Sequence, residues 1–347
     1  MTTVYENGEV QLLPRESGHY IAENSSHVSI NGEAVKDLAN KIFQSLESNE
    51  YSIKQWKQHT LHPKKMIKET VDWIFVVDTL NFSFWSETHE KRYLVEFKGQ
   101  QYSGYWALCA VINRAIDEGI PITDPSYYSK ITDEQMKHIF RSASSTCIPL
   151  LEQRKQHLHE AGSILLQKFN GSFANCVQEC SHNAQALLKL IVSNFPSYRD
   201  VGMYKDKKVS FYKRAQILIA DIWACFEGKT FGEFHDIDSL TMFADYRVPQ
   251  VLNYFGVIRY SDHLTRALHN NEITSHGDPL EVEIRGCSIW AVELIIQEVQ
   301  KKLKGNGTKF SGPVNSIIVD FYLWDYSKDY WRAMKHIPIH RLRCTYY

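Results

Sequence analysis

The stretch GEAVKDLANKIFQSLES (32–48) places Val35, Leu38, Ala39, Ile42, Phe43 and Leu46 at helical spacing on one face. That is the repeat of an amphipathic helix, and helical signals continue to dominate outward from it. KETVDWIFVVDTLNFSFW (68–85) is apolar nearly all round, which predicts a central buried helix. WALCAVINRAIDEG (106–119) predicts another, stopped at Gly119. Thr132 and Gln135 have the spacing of a capping box ahead of MKHIFRS (136–142). Pro149 opens a long amphipathic helix expected to end at Gly171, and further helical segments fall near 183–194, 211–227, 249–255, 261–269 and 287–303.

Signals for β-structure are few. KRYLVEFKGQQYSGYW (91–106) alternates through Tyr93, Val95 and Phe97 before Gly99, the pattern of a hairpin. SGPVNSIIVDFYLWDYSKDYW (311–331) reads two ways: Pro313 opens it like a helix, while its aromatic and β-branched density suits a strand. Charge rises and apolar density falls across SYRDVGMYKDKKVS (197–210), which predicts a loop. The expected fold class is mostly α with a small β-element, α+β. It is either a single domain over 1–347 or two lobes with a weak boundary near 197–210.

Composition narrows the functions available. The 347 residues are 44% hydrophobic and 23% charged, as in an ordinary globular protein. A formal net charge of -1 argues against a stable complex with a long nucleic acid and leaves room for a small substrate held by a local basic patch. No apolar run approaches the roughly 20 residues that span a bilayer, so no membrane association is expected. MTTVYENGEVQ (1–11) lacks the basic and apolar regions of a signal peptide, which predicts a cytoplasmic protein. The seven cysteines are odd in number and scattered, and read as reduced, mostly buried thiols. Cys176 and Cys180 share a helix face, but no second pair or nearby histidine completes a zinc set, and neither a metal nor a cofactor is expected. No P-loop, Rossmann glycine fingerprint, GxSxG elbow or HExxH motif occurs.

The candidate chemistry lies in acids set among aromatics. In LTMFADYRVPQVLNYFGVI (240–258), Asp245 follows what reads as a short helix capped by Asp238, and Pro249 opens the next helix. A carboxylate at such a joint can face a developing cation in a poorly hydrated cleft, or can merely pair with Arg247 and pin the joint. Asp320 and Asp325 interrupt the aromatic run IIVDFYLWDY (317–326), and their spacing of five does not put them in one site on either a helix or a strand. Lys213 and Arg214 stand near a helix start, where they could clamp a phosphate or be plain solvated surface. His59 and His62 are too close and too isolated for a metal site, and each could hydrogen-bond a ligand or simply pack.

Six blocks in this order, VDWIFVVDTLNFSFW, YSGYWALCAVINRAIDEGIPITDPSYY, SFYKRAQIL, TMFADYRVPQVL, EVEIRGCSIWAVELI and SIIVDFYLWDY, closely resemble the eukaryotic queuosine salvage proteins. The resemblance runs from ESGHYIAENSSHVSI to the terminal HRLRCTYY. It implies hydrolysis of the N-glycosidic bond of queuosine 5'-monophosphate, releasing queuine and ribose 5-phosphate for salvage of the base into tRNA. It also implies a fold related to the helix-hairpin-helix DNA glycosylases. VPQVLNYFGVIRYSD (248–262) has a single Gly256 where DNA-binding members carry a glycine-rich hairpin, which favours a mononucleotide over a duplex. Carried over by motif, Asp245 is the nucleophile or cation stabiliser. Phe243 and its neighbour Tyr246 belong to the base pocket, Asp320 and Asp325 bind the ligand, and His59 of HTLHP also meets it. Lys213 or Arg214 as phosphate clamp is an expectation from charge alone. Two rival readings are a non-catalytic queuine or nucleotide carrier and a DNA-repair glycosylase.

Overall fold

The computed structural model describes residues 3–6, 9–48, 50–88, 90–305, 310 and 312–347. The chain divides into two compact units. The first comprises Met1–Ile53, Asp200–Lys213 and Asp238–Leu342, and the second Lys54–Arg199, Arg214–Ile237 and Arg343–Tyr347. Both are mostly helical with small sheets, the α+β class that the sequence implies.

In the first unit the Gly32–Glu47 helix buries Val35, Leu38, Ala39, Ile42, Phe43 and Leu46, the face set by their spacing. Asn31 caps it by accepting from the Glu33 amide. The stretch 197–210 is not a simple loop. Val201–Tyr204 and Lys207–Ser210 are antiparallel strands, and Lys207–Ser210 also pairs in parallel with Glu9–Leu12 in a four-stranded sheet. Lys205, with φ +51°, turns this charged hairpin, so its polar residues mark a tight turn and an exposed strand face. The ambiguous 311–331 stretch is a helix, Ser316–Asp329, capped by Asn315. The last long helix begins at Pro279, earlier than its apolar pattern suggests, because Glu281, Glu283 and Arg285 in its first turns are buried with polar partners.

That helix, Pro279–Gly305, packs closely on Pro14–Asn24 through two glycines. A Cβ at Gly286 would sit 2.5 Å from Ile21, and one at Gly18 would sit 2.7 Å from Ile289. Neither glycine is there for backbone freedom; each is there because no side chain fits.

In the second unit the Lys68–Thr79 helix is buried from Thr70 to Thr79 except at Asp72. It stops at Thr79 rather than running on to 85. The next residues stay buried without helical bonds, because Arg154, itself fully buried, donates to the carbonyls of Leu80 and Phe82, the latter at 2.5 Å. The Ser83 amide donates to the Tyr347 carbonyl at 2.8 Å. The hairpin is Leu94–Phe97 with Gln100–Ser103, turned by Lys98 and Gly99, both at positive φ. The Thr132–Gln135 capping box is present in full. The long helix after Pro149 spans Leu151–Lys168, with left-handed Leu150 before it and Gly171, at φ +70°, in the turn beyond. Six cysteines are buried and Cys147 is exposed, all of them as free thiols.

Gly286→Ala is expected to lower unfolding stability by about 1–3 kcal/mol through overpacking against Ile21. Urea unfolding of the two proteins, with unchanged slope and a lowered midpoint, checks it.

Candidate active site

The segment from Leu240 to Tyr246 is fully buried yet belongs to no helix or strand. The short helix expected to lead into Asp245 is absent: Ile237–Ser239 is a single 3-10 turn, and the chain then runs irregularly to Arg247. A buried irregular backbone must find hydrogen-bond partners elsewhere, and here side chains supply them. Arg15 donates to the carbonyls of Asp238 and Leu240 at 2.7 and 3.2 Å. Asp320 accepts the Phe243 amide at 2.9 Å. Arg285 donates through Nε to the Ala244 carbonyl at 2.9 Å. Asp238 is no helix cap; its carboxylate accepts from Asn315.

Asp245 stands just before the Arg247–Tyr254 helix. Its Oδ1 accepts the amides of Arg247 and Val248, at 2.7 and 2.9 Å, two donors that a helix start leaves without intrahelical partners. The carboxylate is thereby fixed against the positive end of a helix, and its second oxygen carries no hydrogen bond among the described residues. Arg247 does not serve Asp245 as a side-chain partner. Its guanidinium donates to Gln250 at 3.0 Å and lies 5.3 Å from the Tyr246 ring. The pairing reading for Asp245 thus resolves into backbone amides.

Asp320 sits on the Ser316–Asp329 helix, 3% exposed. Burial pushes its carboxyl well above the usual carboxylate range, and the neighbouring Asp245 charge adds to that push. The Phe243 amide and Lys213 oppose it. Asp325 is one and a half turns further along. Burial raises it as well, and a 2.6 Å hydrogen bond from the Tyr51 hydroxyl counteracts this. Tyr51 is itself buried, and its proton is held by burial first, then by the charges of Asp325 and Asp320. Of the two acids, Asp325 is the one that hydrogen-bonds this hydroxyl. Phe243, 2% exposed, has Phe321 as its aromatic neighbour at 6.1 Å. Tyr246, three residues after Phe243, is also buried.

Lys213 belongs to the same unit, 6% exposed, and its amide donates to Asp200 at 3.1 Å. Arg214 belongs to the other unit. It is buried and donates to the carbonyls of Thr79, at 2.6 Å, and Ser197, so its guanidinium serves backbone. His59 also lies in the second unit, stacked on Trp106 with ring centroids 3.3 Å apart. Burial, with help from Lys64, lowers its pKa to about 4. His62 is buried between the Trp56 carbonyl at 2.6 Å and the Tyr105 hydroxyl at 2.9 Å, and burial lowers it to about 3. Tyr51, Asp200, Arg285 and Phe321 were not singled out by the motif reading. Tyr51 and Asp200 carry no local signal, whereas Arg285 stands with Glu281 and Glu283 as a charge inside the apolar block EVEIRGCSIWAVELI. Among the described residues no three His, Cys, Asp or Glu side chains form a metal-binding group, and no helix is long and apolar enough to cross a membrane.

A carboxylate pinned by backbone amides, beside a second acid whose carboxyl burial raises, is an arrangement that suits the cleavage of glycosyl bonds. A profile described as queuosine salvage protein matches residues 61–347. The chain is 53% identical over 344 residues to a Nematostella vectensis protein and 51% identical over 337 residues to one from Bos taurus. Each alignment covers 97% of this chain and 99% of the relative. A Sphaerobacter thermophilus relative is 36% identical over 327 residues, covering 94% of this chain and 95% of its own. All three are named queuosine 5'-phosphate N-glycosylase/hydrolase. The chain belongs to the queuosine salvage protein family.

The neutral His62 couples folding to pH. Its folded pKa, about 3, lies below the ordinary 6.5, so the stability it contributes is present above pH 6.5 and lost as pH falls toward 3. The raised Asp320 works in the opposite direction. Calorimetry from pH 7.5 to 4.5 should therefore show a smaller decline in Tm for His62→Gln than for the native chain, from a lower starting Tm. An equal decline in both would remove His62 from this role.

Proposed function

We propose that this protein hydrolyses the N-glycosidic bond of queuosine 5'-monophosphate, releasing queuine and ribose 5-phosphate. The observation that carries the reading is the pair of acids in one unit: Asp245 held by two helix-start amides with one oxygen unbonded, and Asp320 driven toward its protonated form by burial beside it. Near full-length identity to relatives named for this activity supports the choice of substrate.

The chemistry follows from the residues. As the C1'–N bond lengthens, its electron pair leaves with the base and the ribosyl ring becomes cationic. The unbonded oxygen of Asp245 stabilises that cation more than it does the neutral ground state, which is where a rate gain arises. Water adds its hydroxyl to C1' and gives its remaining proton to the unbonded oxygen of Asp245, while the departing base takes up a proton from the second acid. A 7-deazapurine has no basic N7 to receive it, so a protonated Asp320 donates elsewhere on the base. Asp325, oriented by Tyr51, suits the cationic amine or the diol of queuine. Phe243 and Tyr246 line the base, and Lys213 faces the 5'-phosphate. His59 is assigned to the ligand on the family resemblance. Arg214 drops from the phosphate role because its donors hold Thr79 and Ser197.

The same reading takes the fold as a relative of the helix-hairpin-helix glycosylases and a cytoplasmic protein that forms no stable nucleic-acid complex, consistent with the net charge of -1. Incubation with queuosine 5'-monophosphate should release queuine at the same rate with and without EDTA. Tight binding without release would instead favour a carrier. Asp245→Asn, whose amide oxygen still accepts from Arg247 and Val248, should keep the fold and lose on the order of 10²–10³-fold in kcat. Near-native turnover would overturn the assignment. Asp320→Asn retains an acceptor for Phe243 and a donor toward the base, so it should retain more activity than Asp320→Ala.

A further inference from the structure

The first unit contains a second polar cluster that the reaction does not use directly. Arg285 is completely buried on the Pro279–Gly305 helix. Its two terminal nitrogens grip Asp200 at 3.0 and 2.6 Å, and Nη1 also reaches Glu281 at 3.1 Å. The Phe211 ring lies 4.1 Å from the guanidinium carbon and so fixes its plane. His276 touches Glu281 at 3.3 Å and the Val201 carbonyl at 3.0 Å. An ion cluster made only for stability would end there. This one has two further arms. Nε of Arg285 holds the Ala244 carbonyl, the peptide that leads directly into Asp245, and Asp200 accepts the amide of Lys213 at 3.1 Å.

We propose that Arg285 and Asp200 are positioning residues for the hydrolysis, joining in one rigid buried unit the segment that carries the catalytic carboxylate and the residue that faces the phosphate. The inference rests on the function proposed above. The two segments have no ladder between them: 240–246 is irregular, and Lys213 only begins its helix. Without the guanidinium the Ala244–Asp245 peptide plane can rotate, and Asp245 then moves relative to the anomeric carbon. Misplacement of a reacting group by about 1 Å can cost on the order of 10²-fold in rate. Binding of the base should change far less, because Asp320 and Asp325 stand on a different helix and Asp320 itself holds the Phe243 amide whatever Arg285 does.

The deciding variant is Arg285→Lys, which preserves the charge facing Asp200 and Glu281 but cannot reproduce the fork or the Nε contact. Expected is a folded protein whose kcat on queuosine 5'-monophosphate falls by about 10²-fold per folded molecule, while KM and the Kd for queuine stay within about threefold. A purely structural role predicts a lowered Tm with native kcat in the fraction that folds, and that result overturns the proposal. Asp200→Asn carries the same test if Arg285→Lys does not fold, with a rise in KM added because the seat of Lys213 is loosened. Its native kcat and KM would likewise be fatal. Native turnover in Arg285→Lys alongside an inactive Asp245→Asn removes the positioning role alone. A native chain that releases no queuine removes the function and this inference together.

Discussion

Buried arginines satisfying buried carbonyls hold this protein's irregular segments in place. Arg154 secures 80–82 after its helix ends, Arg214 secures Thr79 and Ser197, and Arg285 secures Ala244. Each is among the largest fully buried side chains in the chain. An arginine can supply several donors in a fixed plane, so one side chain replaces part of a missing strand. The guanidinium also needs compensation in a dry interior. Asp200 and Glu281 provide it for Arg285, and aromatic rings lie against all three.

The acids of the site differ because their surroundings differ. Asp245 takes its donors from a helix start, whereas Asp320 has one backbone amide and a deep burial. Two identical side chains are therefore held in different ways in one unit, one by helix-start amides and one by burial that raises its carboxyl. Tyr51 extends the set by giving Asp325 a hydroxyl donor from a part of the chain 274 residues away.

What could be read in advance was local. The Gly32–Glu47 face, the 94–103 hairpin and the Thr132 box depend on residues a few positions apart, so their pattern lies on the surface of the sequence. The 240–246 and 80–85 segments misled because apolar runs look helical when their hydrogen-bond partners lie elsewhere. Phe243 is held from 77 residues away and Ala244 from 41. The candidate acids Asp245, Asp320 and Asp325 stand out as carboxylates among aromatics, but spacing alone does not bring Asp320 and Asp325 together. The roles of Tyr51 and Arg285 depend on tertiary contact and had no motif to announce them.

Gly286 follows Arg285 in the chain, and the absence of its side chain lets the helix sit against Ile21 at close range. The arginine is consequently as immobile as the crossing of two helices, and the peptide before Asp245 inherits that stiffness although it lies outside any regular element. Anyone transplanting this acid onto a new scaffold would gain little by copying the FADYR loop. The portable unit is the helix pair, with its glycines, that holds the loop still.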